Sequence, residues 1–417
     1  MIHSNSERRI VILTGNHVCH NPRAFKEAEA LTEAGFAVEW LGAWFSPELA
    51  ERDQELLAGR NWRYRPVTNW TVKSLTSGLA RQRQRLRRRL GLQRFYYLGW
   101  ENDGQLGYCT RELLAAARTL EASLYIAHSE PALWVGKELA RSGKNVGVDM
   151  EDWFSEDLVP EAQRERPLKL LRSLERDFLK IGKHRSCTSA AMSDALAETY
   201  NCKPPKVIYN AFPLAERQSL DHKAKDRYDR QLPSIHWFSQ TLARGRGLED
   251  LFEALPKINS PAQLHLRGSI SSENRKWIES SLPKDWRERV FLHPLVSNKE
   301  LLSRIAEHDI GLALEPITPR NKNVTISNKI FQYLLAGLAV IASDTAGQRE
   351  VARGADSAIW LYQAGDSLGL ADNLNMLLRS PELLLASKRA ALAAAETRFN
   401  WEKIAPALVR SVEAAVA

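Results

Sequence analysis

The sequence predicts an α/β protein built from two doubly wound, Rossmann-like domains. Short apolar runs that are typical of buried parallel strands alternate with amphipathic helical segments in both halves of the chain. A polar, charged stretch at residues 215–231 separates the two halves. With 417 residues, the chain is long enough for two hydrophobic cores.

The composition indicates an anionic partner and a reducing compartment. The net charge is +8 and the pI is about 9.3, which favours nucleic acid, a phospholipid surface or a phosphorylated substrate. The four cysteines are scattered without a C-x-x-C pair, so we expect free thiols. The first residues lack the apolar stretch of a signal peptide, and no run reaches the length of a membrane span. We therefore expect a cytoplasmic protein.

The first half begins with a strand-loop-helix-strand unit. Residues 10–14 form an apolar run, Asn21 and Pro22 are a typical N-cap and first helical residue, and residues 37–41 form the next strand. Open α/β sheets bind ligands at the carboxyl ends of their strands, so the loop after the first strand is a candidate site. It lacks G-x-G-x-x-G, which disfavours a dinucleotide cofactor. The candidate residues, each equally explicable as an exposed loop residue, are His17, His20 and Arg23.

Residues 81–94 form a basic segment with seven arginines and no acidic residue. Leucines are interspersed, and aromatic residues follow at Phe95, Tyr96 and Tyr97. A basic helix with an apolar side is typical of a membrane-surface segment. A solvated basic face and a nucleic-acid patch are the alternatives.

Two later strands of the first half end in polar residues. Residues 123–128 end at His128, which is a candidate site residue or a strand-end histidine bonded to a backbone carbonyl. A strand at residues 146–150 contains Asp149 and is followed directly by Glu151 and Asp152. This D-x-x-D spacing suggests a metal, but no further histidine or carboxylate stands at ligand spacing, so we expect none.

The first loop of the second half predicts a phosphate site. A strand at residues 235–238 precedes Arg244, Gly245, Arg246 and Gly247, and a helix follows. Glycine lets a backbone approach a ligand closely, and a guanidinium group matches phosphate oxygens. We therefore expect this loop to hold a diphosphate. Further strands are expected at residues 263–267, 290–293, 309–314 and 358–361.

Residues 323–344 combine a polar loop, a helix, a glycine stop and a buried strand. Ser327 or Asn328 can cap the helix, Lys329 lies in its first turn, and Gly337 ends it. A helix N-terminus with an adjacent lysine is suited to an anionic ligand. On spacing alone, an ordinary αβ unit with a solvated outer face is the simpler explanation.

The same stretch resembles the nucleotide-sugar site of GT-B glycosyltransferases of the large retaining group called family 4. The residues that match the family pattern are Asn328, Lys329, Phe331, Tyr333, Gly337, Val340, Ile341, Ser343 and Asp344. The family has two glutamates where this chain has Val324 and Gln332, and the second of them grips the ribose. An amide can bond a hydroxyl but lacks the charge. Glu315 is the alternative carboxylate.

Weaker matches extend over nearly the whole chain. At the first phosphate loop, Arg246 and Gly247 stand at a Lys-Gly position of the family, and Arg244 is a substitute for an arginine that the family has earlier. The resemblance implies domains at residues 1–213 and 233–395, a linker at 214–232, and a final helix at 396–417 that crosses back to the first domain. The two domains are expected to face each other across a cleft.

Spacing and resemblance together give three sets of site residues. The catalytic set is Arg246, Lys329 and His128. The donor set is Arg244, Gly247, Gln332, Ser327, Asn328, Glu315 and His293. The acceptor set is His17, His20, Arg23, Asp149, Glu151 and Asn210.

The function implied by the resemblance is transfer of a sugar from a nucleoside-diphosphate sugar to a glycan or lipid-linked acceptor. Retention of configuration and a place in cell-surface polysaccharide or glycoconjugate synthesis are also implied. We expect no metal, no other cofactor and no nucleic acid, and we expect residues 81–94 to dock on an anionic membrane at its inner face. The alternatives are a GT-B sugar-nucleotide epimerase or hydrolase, a nucleic-acid-binding protein, and an inactive GT-B binding partner.

Overall fold

The chain divides into two compact units in a computed structural model that describes residues 8–227 and 231–417. The first unit contains residues 8–188, Ser193–Ile208 and Ala405–Ala417. The second contains Ser189–Met192 and Tyr209–Ile404. The last residues of the C-terminal helix therefore return to the first unit.

The first unit is a seven-stranded sheet with the order β3-β2-β1-β4-β5-β6-β7, in which neighbouring strands are parallel. Its strands are β1 (Arg9–Leu13), β2 (Ala37–Trp44), β3 (Arg63–Asn69), β4 (Leu124–Ala127), β5 (Val146–Met150), β6 (His184–Cys187) and β7 (Lys206–Val207). Its helices are α1 (Pro22–Glu33), α2 (Pro47–Leu57), α3 (Leu75–Leu98), α4 (Thr110–Arg118), α5 (Glu130–Arg141), α6 (Pro160–Gln163), α7 (Leu168–Ile181) and α8 (Ala190–Tyr200). The first residues of α8 belong to the second unit.

The second unit is a six-stranded sheet with the order β10-β9-β8-β11-β12-β13, also with parallel neighbours. Its strands are β8 (Ser234–Thr241), β9 (Gln263–Ser269), β10 (Val290–His293), β11 (Ile310–Ala313), β12 (Ala339–Ser343) and β13 (Ile359–Tyr362). Its helices are α9 (Leu248–Ala254), α10 (Ser272–Ser281), α11 (Asn298–Ile305), α12 (Arg320–Val324), α13 (Asn328–Ala336), α14 (Ala346–Ala352), α15 (Ser367–Arg379) and α16 (Pro381–Thr397), and α17 (Trp401–Val416) ends the chain.

Both strand orders are those of doubly wound sheets, which confirms the predicted fold class. The central strands are buried on both faces, as their continuous apolar runs predict: β4 and β12 have no exposed residue. In each sheet the strand order reverses once, between β1 and β4 and between β8 and β11. Ligands of open α/β sheets bind at such reversal points, beyond the carboxyl ends of the strands.

The charged stretch that we predicted to be a linker packs on the second unit. Arg227 is paired with Asp309 at 2.8 Å, and Arg304 of α11 is paired with Asp221 at 2.6 Å. The stretch has few apolar residues, so ion pairs of this kind attach it to the second unit. The second unit also begins at Tyr209, so the predicted acceptor residue Asn210 lies in the second unit.

Two further features concern the cysteines and the apolar character of the helices. All four cysteines are free, as their scattered positions predict. Within residues 8–227 and 231–417, no helix combines the length and the apolar character needed to cross a membrane.

Candidate functional site

Two loops of the second unit meet where its strand order reverses. The loop after β8 ends at Gly247, and the loop after β11 begins at Leu314. Gly247 has φ of 81°, and a Cβ at this position would lie 2.3 Å from the Leu314 carbonyl oxygen. Both the backbone conformation and the close approach therefore require glycine. The predicted phosphate loop is thus fixed directly against the neighbouring loop.

Lys329, in the first turn of α13, is held in an ion pair with Glu315. Lys329 Nζ lies 2.8 Å from Glu315 Oε1, and Ser327 Oγ donates to the same oxygen at 2.9 Å. Lys322 Nζ lies 3.8 Å from the other carboxylate oxygen. Burial alone would raise the pKa of Glu315, but the lysines Lys329 and Lys322 hold it at about 2. Glu315 is therefore ionised, and two lysines face a single carboxylate.

Ser327 occupies the N-cap position of α13, as predicted, but its side chain does not cap the helix. Its hydroxyl donates to Glu315 instead, because a hydrogen bond to a carboxylate is stronger than one to a neutral acceptor.

The backbone of Glu315 is fixed by the end of β12. Ser343 Oγ accepts from Glu315 N at 2.9 Å and donates to Glu315 O at 2.6 Å. Gln348 Nε2 in turn donates to Ser343 O at 2.7 Å. Lys329 Nζ also lies 5.6 Å from the centre of the Trp237 ring, a cation–π contact. The lysine and its carboxylate are therefore positioned by three strands.

The two arginines of the loop after β8 have different surroundings. Arg246 is exposed, and its Nη1 donates to Ser239 Oγ at 3.0 Å. The Arg244 guanidinium carbon lies 4.6 Å from the centre of the Trp277 ring in α10. Arg246 thus bonds to the carboxyl end of β8, whereas Arg244 stacks on a helix. Arg246 is the better placed of the two to meet a ligand at the reversal point.

The remaining predicted donor residues lie on the same unit. Asn328 Oδ1 accepts from Asn210 Nδ2 at 3.0 Å. Gln332 is half-buried, and its side chain makes no hydrogen bond among the residues that the structure describes. Val324 is buried and has no polar group, so it cannot replace the missing glutamate. A hydrogen bond from a ligand hydroxyl to Gln332 would therefore displace no described side-chain partner.

His293 belongs to a cluster of histidines on β8, β9, β10 and the turn before β11. Its ring lies 5.2 Å from that of His265, and His265 lies 4.5 Å from His308. His236 stacks on His308 at 4.4 Å. Burial lowers the pKa of His265 to about 3 and lowers that of His293, so these rings are neutral. The sequence assigned His293 to the donor, but its side chain is engaged in this cluster.

In the first unit, the His17 ring is buried and both of its nitrogens are engaged. Its Nδ1 lies 3.1 Å from Asp53 Oδ2, and its Nε2 accepts from the backbone nitrogens of Phe45 and Ser46. Asp53 also accepts from the backbone nitrogens of Val18 and Cys19. The pair therefore closes the loop after β1 against α2 and leaves neither ring nitrogen free.

Three other predicted residues form a buried ionic cluster. Arg23 Nε lies 2.9 Å from both oxygens of Asp149, and its Nη1 donates to the Ile208 carbonyl at 2.7 Å. His128 Nε2 lies 2.6 Å from Glu27 Oε2. Burial alone would lower the pKa of His128, but Glu27 raises it to about 9. These side chains are almost fully buried, and their charged groups are turned toward one another.

The same cluster has the residue types of a metal site. Ligand atoms of Glu27, His128 and Asp149 lie within 4.8 Å of one another. However, the protonated ring of His128 neutralises Glu27, and Arg23 neutralises Asp149. Metal ligands must be deprotonated and free to coordinate, so this arrangement fits two ion pairs better than a cation.

Two predicted acceptor residues of the first unit keep accessible surface. His20 is exposed, and Asn16 lies 3.3 Å from its Nδ1. Glu151 is half-buried, and burial raises its pKa to about 8, with Asp152 and Asp149 adding to the increase. A protonated carboxyl group can donate a hydrogen bond to an acceptor hydroxyl.

The basic segment is a helix with an apolar side exposed to solvent. In α3, leucines and a tyrosine recur at alternating intervals of four and seven residues, so that every second one follows after eleven: Leu75, Leu79, Leu86, Leu90 and Tyr97. An eleven-residue interval is close to three full turns, so these residues form a straight stripe. All are exposed, and Leu75 is 90% and Tyr97 84% accessible. We call this surface the apolar stripe.

Sequence reasoning missed several residues of these sites. Lys322 lies near Glu315 and Ser239 bonds Arg246 in the second unit, and Glu27 and Asp53 contact His128 and His17 in the first. Lys322 repeats the Asn-Lys pair of residues 328–329 and could have been suspected for that reason. Glu27 and Asp53 lie on helices and give no local signal.

A family model matches part of the second unit. Residues 233–380 match the family model described as glycosyl transferases group 1. The comparison with curated proteins gave no match.

Solved structures share the fold of the whole chain at low sequence identity. Sucrose-phosphate synthase from Thermosynechococcus elongatus has 16% identity and a TM-score of 0.67, covering 98% of this chain and 100% of its own. The Anabaena protein HepE in complex with UDP-glucose has 15% identity and a TM-score of 0.70, covering 97% and 99%. A glycosyltransferase from Rickettsia africae has 12% identity and a TM-score of 0.66, covering 97% and 98%. At these identities the likeness shows the GT-B fold alone.

Proposed function

Residues 233–380 form a domain of the glycosyl transferases group 1 family, and from this premise we propose that the chain transfers a sugar from a nucleoside-diphosphate sugar to an acceptor. The observation that carries the proposal is the meeting of the loops after β8 and β11. Arg246 lies on the first loop, and Glu315 of the second is faced by Lys322 of α12 and Lys329 of α13. Three cations with one carboxylate, at the reversal point of a doubly wound sheet, suit a diphosphate.

The cations act on the leaving group. When the bond between sugar and diphosphate breaks, negative charge grows on the phosphate oxygens. Lys329 and Arg246 stabilise this charge more in the transition state than in the ground state, and this difference accelerates the reaction. Because Glu315 and Ser343 fix Lys329 in advance, little reorganisation is needed. The reaction retains the configuration of the sugar and needs no bound metal.

A nucleotide screen tests the donor proposal. A ligand that binds only the folded state raises the melting temperature. We expect one of UDP, GDP or ADP to stabilise wild type and to stabilise Lys329→Ala less. An absence of stabilisation by every nucleoside diphosphate and its sugar would contradict the proposal.

An epimerase or hydrolase would release its product without an acceptor, whereas a transferase would release nucleotide at an acceptor-dependent rate.

We propose that the acceptor is a glycan or lipid-linked molecule at an anionic membrane, on which α3 docks. The apolar stripe is flanked by Arg83 and Arg94 on one side and by Arg85 and Arg89 on the other, and all four arginines are exposed. This is the charge pattern of a helix that lies in a membrane interface. Nucleic acid is bound through its phosphates by cationic side chains, and exposed leucines do not contribute to such binding. The stripe therefore favours a membrane over a nucleic acid. From this surface we propose a location at the inner face of the plasma membrane and a role in cell-surface polysaccharide or glycoconjugate synthesis.

Vesicle binding tests the membrane proposal. Replacing Leu86 and Leu90 by Ser removes apolar area from the stripe without changing any charge. We expect weaker co-sedimentation with vesicles that contain phosphatidylglycerol, and an unchanged melting temperature because both side chains are exposed. Equal binding by wild type and the variant would remove the membrane role.

A further inference from the structure

An arginine pocket lies at the side of α3 in the first unit. It is a shallow cavity of about 380 Å³ lined by Arg85, Arg88, Arg89, Leu92 and Tyr108. Three of its five lining residues are cationic. Among the residues that the structure describes, no carboxylate lines the pocket or is paired with any of the three arginines.

A neighbouring arginine of α3 shows what a carboxylate partner looks like at this place. The adjacent Arg87 is paired with Glu112, with an Nη2–Oε2 distance of 2.8 Å. Arg85 lies three and four residues from Arg88 and Arg89, a spacing at which like charges repel on a helix. A bound anion would remove this repulsion and would take the place that Glu112 takes for Arg87.

Aromatic rings hold two of the arginines in place. The Arg88 guanidinium carbon lies 4.9 Å from the centre of the Tyr108 ring, and that of Arg85 lies 5.1 Å from the Trp70 ring. Arg88 Nη1 also donates to the Gln105 carbonyl at 3.1 Å. These contacts use ring faces and a single N–H group. Most guanidinium donors therefore remain for a ligand, and two arginines fixed side by side match the oxygens of a phosphate group.

The pocket lies at the ligand edge of the first sheet. Trp70 directly follows β3, and its ring is 4.9 Å from both Tyr108 and Phe45, which directly follows β2. Tyr108, which lines the pocket, therefore packs against a residue at the carboxyl end of a parallel strand, where open α/β sheets bind ligands. The apolar stripe runs along the same helix as the three arginines.

We propose that this arginine pocket binds the phosphate of a membrane amphiphile, with the aliphatic chain of the amphiphile lying along the apolar stripe. The proposal rests on the proposed function only in taking this amphiphile as the sugar acceptor. It gives the acceptor a chemical class: a phosphate or diphosphate ester on a long hydrocarbon chain.

Two double variants of equal charge separate the pocket from general attraction to an anionic surface. Arg85→Gln with Arg89→Gln removes two pocket arginines, and Arg83→Gln with Arg94→Gln removes two exposed arginines of α3 outside the pocket. The two kinds of vesicle are phosphatidylcholine doped with dodecyl phosphate, a monoester, and phosphatidylcholine doped with phosphatidylglycerol, a diester. Binding is measured by co-sedimentation in the absence of nucleotide, so that a failure of donor binding does not affect the result.

We expect the pocket variant to bind dodecyl phosphate vesicles at least tenfold more weakly than the control variant does, and the two to bind phosphatidylglycerol vesicles equally. Equal binding of dodecyl phosphate vesicles by the two variants would show attraction to charge alone and overturn the proposal. Inorganic phosphate at constant ionic strength distinguishes the source of the group. If it displaces wild type from dodecyl phosphate vesicles only weakly, the amphiphile is the ligand; if millimolar phosphate displaces it fully, the pocket binds free phosphate and the amphiphile assignment falls.

Discussion

Lys329 Nζ lies 2.8 Å from Glu315 Oε1, so the lysine proposed to bind the donor diphosphate is already held by a carboxylate at the end of β11. Glu315→Gln keeps the shape and removes the charge. We expect kcat to fall on the order of tenfold, because Lys329 loses its anchor, and binding of the nucleoside diphosphate to tighten, because a nearby negative charge is gone. Calorimetry and steady-state rates measure the two effects. Weaker nucleotide binding would instead show that Glu315 contacts the ligand itself.

Gln332 is expected to bind the donor ribose without taking part in the chemistry. Gln332→Ala should weaken donor binding by about 1 kcal/mol, the typical value of one hydrogen bond, with kcat nearly unchanged. Gln332→Glu should tighten binding, since a carboxylate accepts a stronger, charge-assisted bond from a hydroxyl. Titration calorimetry of both variants is the measurement. Unchanged binding in Gln332→Ala, together with weaker binding in Gln332→Glu, would place the ribose elsewhere.

Transfer should survive chelation of divalent ions. The group with metal-ligand chemistry among the described residues is occupied by its own ion pairs, Glu27 with His128 and Arg23 with Asp149. We expect equal rates before and after dialysis against EDTA. Loss of activity, with recovery on adding one divalent ion and no recovery in a Glu27→Gln variant, would make this cluster a metal site.

The ion pair between His128 and Glu27 predicts a pH dependence of stability. Glu27 raises the pKa of His128 to about 9 from an unfolded value of 6.5. The folded state therefore binds the proton more tightly, and the stabilisation is complete below pH 6.5 and is lost as the pH rises through 9. It amounts to at most about 3 kcal/mol. Thermal melts from pH 6 to 9.5 should show wild type losing more stability than Glu27→Gln with His128→Gln, and parallel curves would contradict the assignment.

The fold followed from local patterns because each strand and helix carries its own periodicity. The stretch around Lys329 was located for the same reason: the helix, its position before β12 and its lysine are all encoded within a few residues. The partners Glu27 and Asp53 were not predicted, because packing brings them to His128 and His17 from distant parts of the chain. His17, Arg23 and His128, which the sequence offers as candidate site residues, are buried in the structure, and their burial depends on the same distant packing. The histidine cluster joins four separate segments and gives no pattern in the sequence.

The central claim is that Arg246 and Lys329 stabilise the leaving diphosphate, and the most direct test compares Arg246→Ala, Lys329→Ala and Arg244→Ala. Arg244 is the matched control, since it lies two residues from Arg246 but stacks on Trp277. We expect the first two variants to lose on the order of 10² to 10³ in kcat with a smaller loss of nucleotide affinity, and Arg244→Ala to stay near wild type. Near-wild-type kcat in both Arg246→Ala and Lys329→Ala would contradict the account.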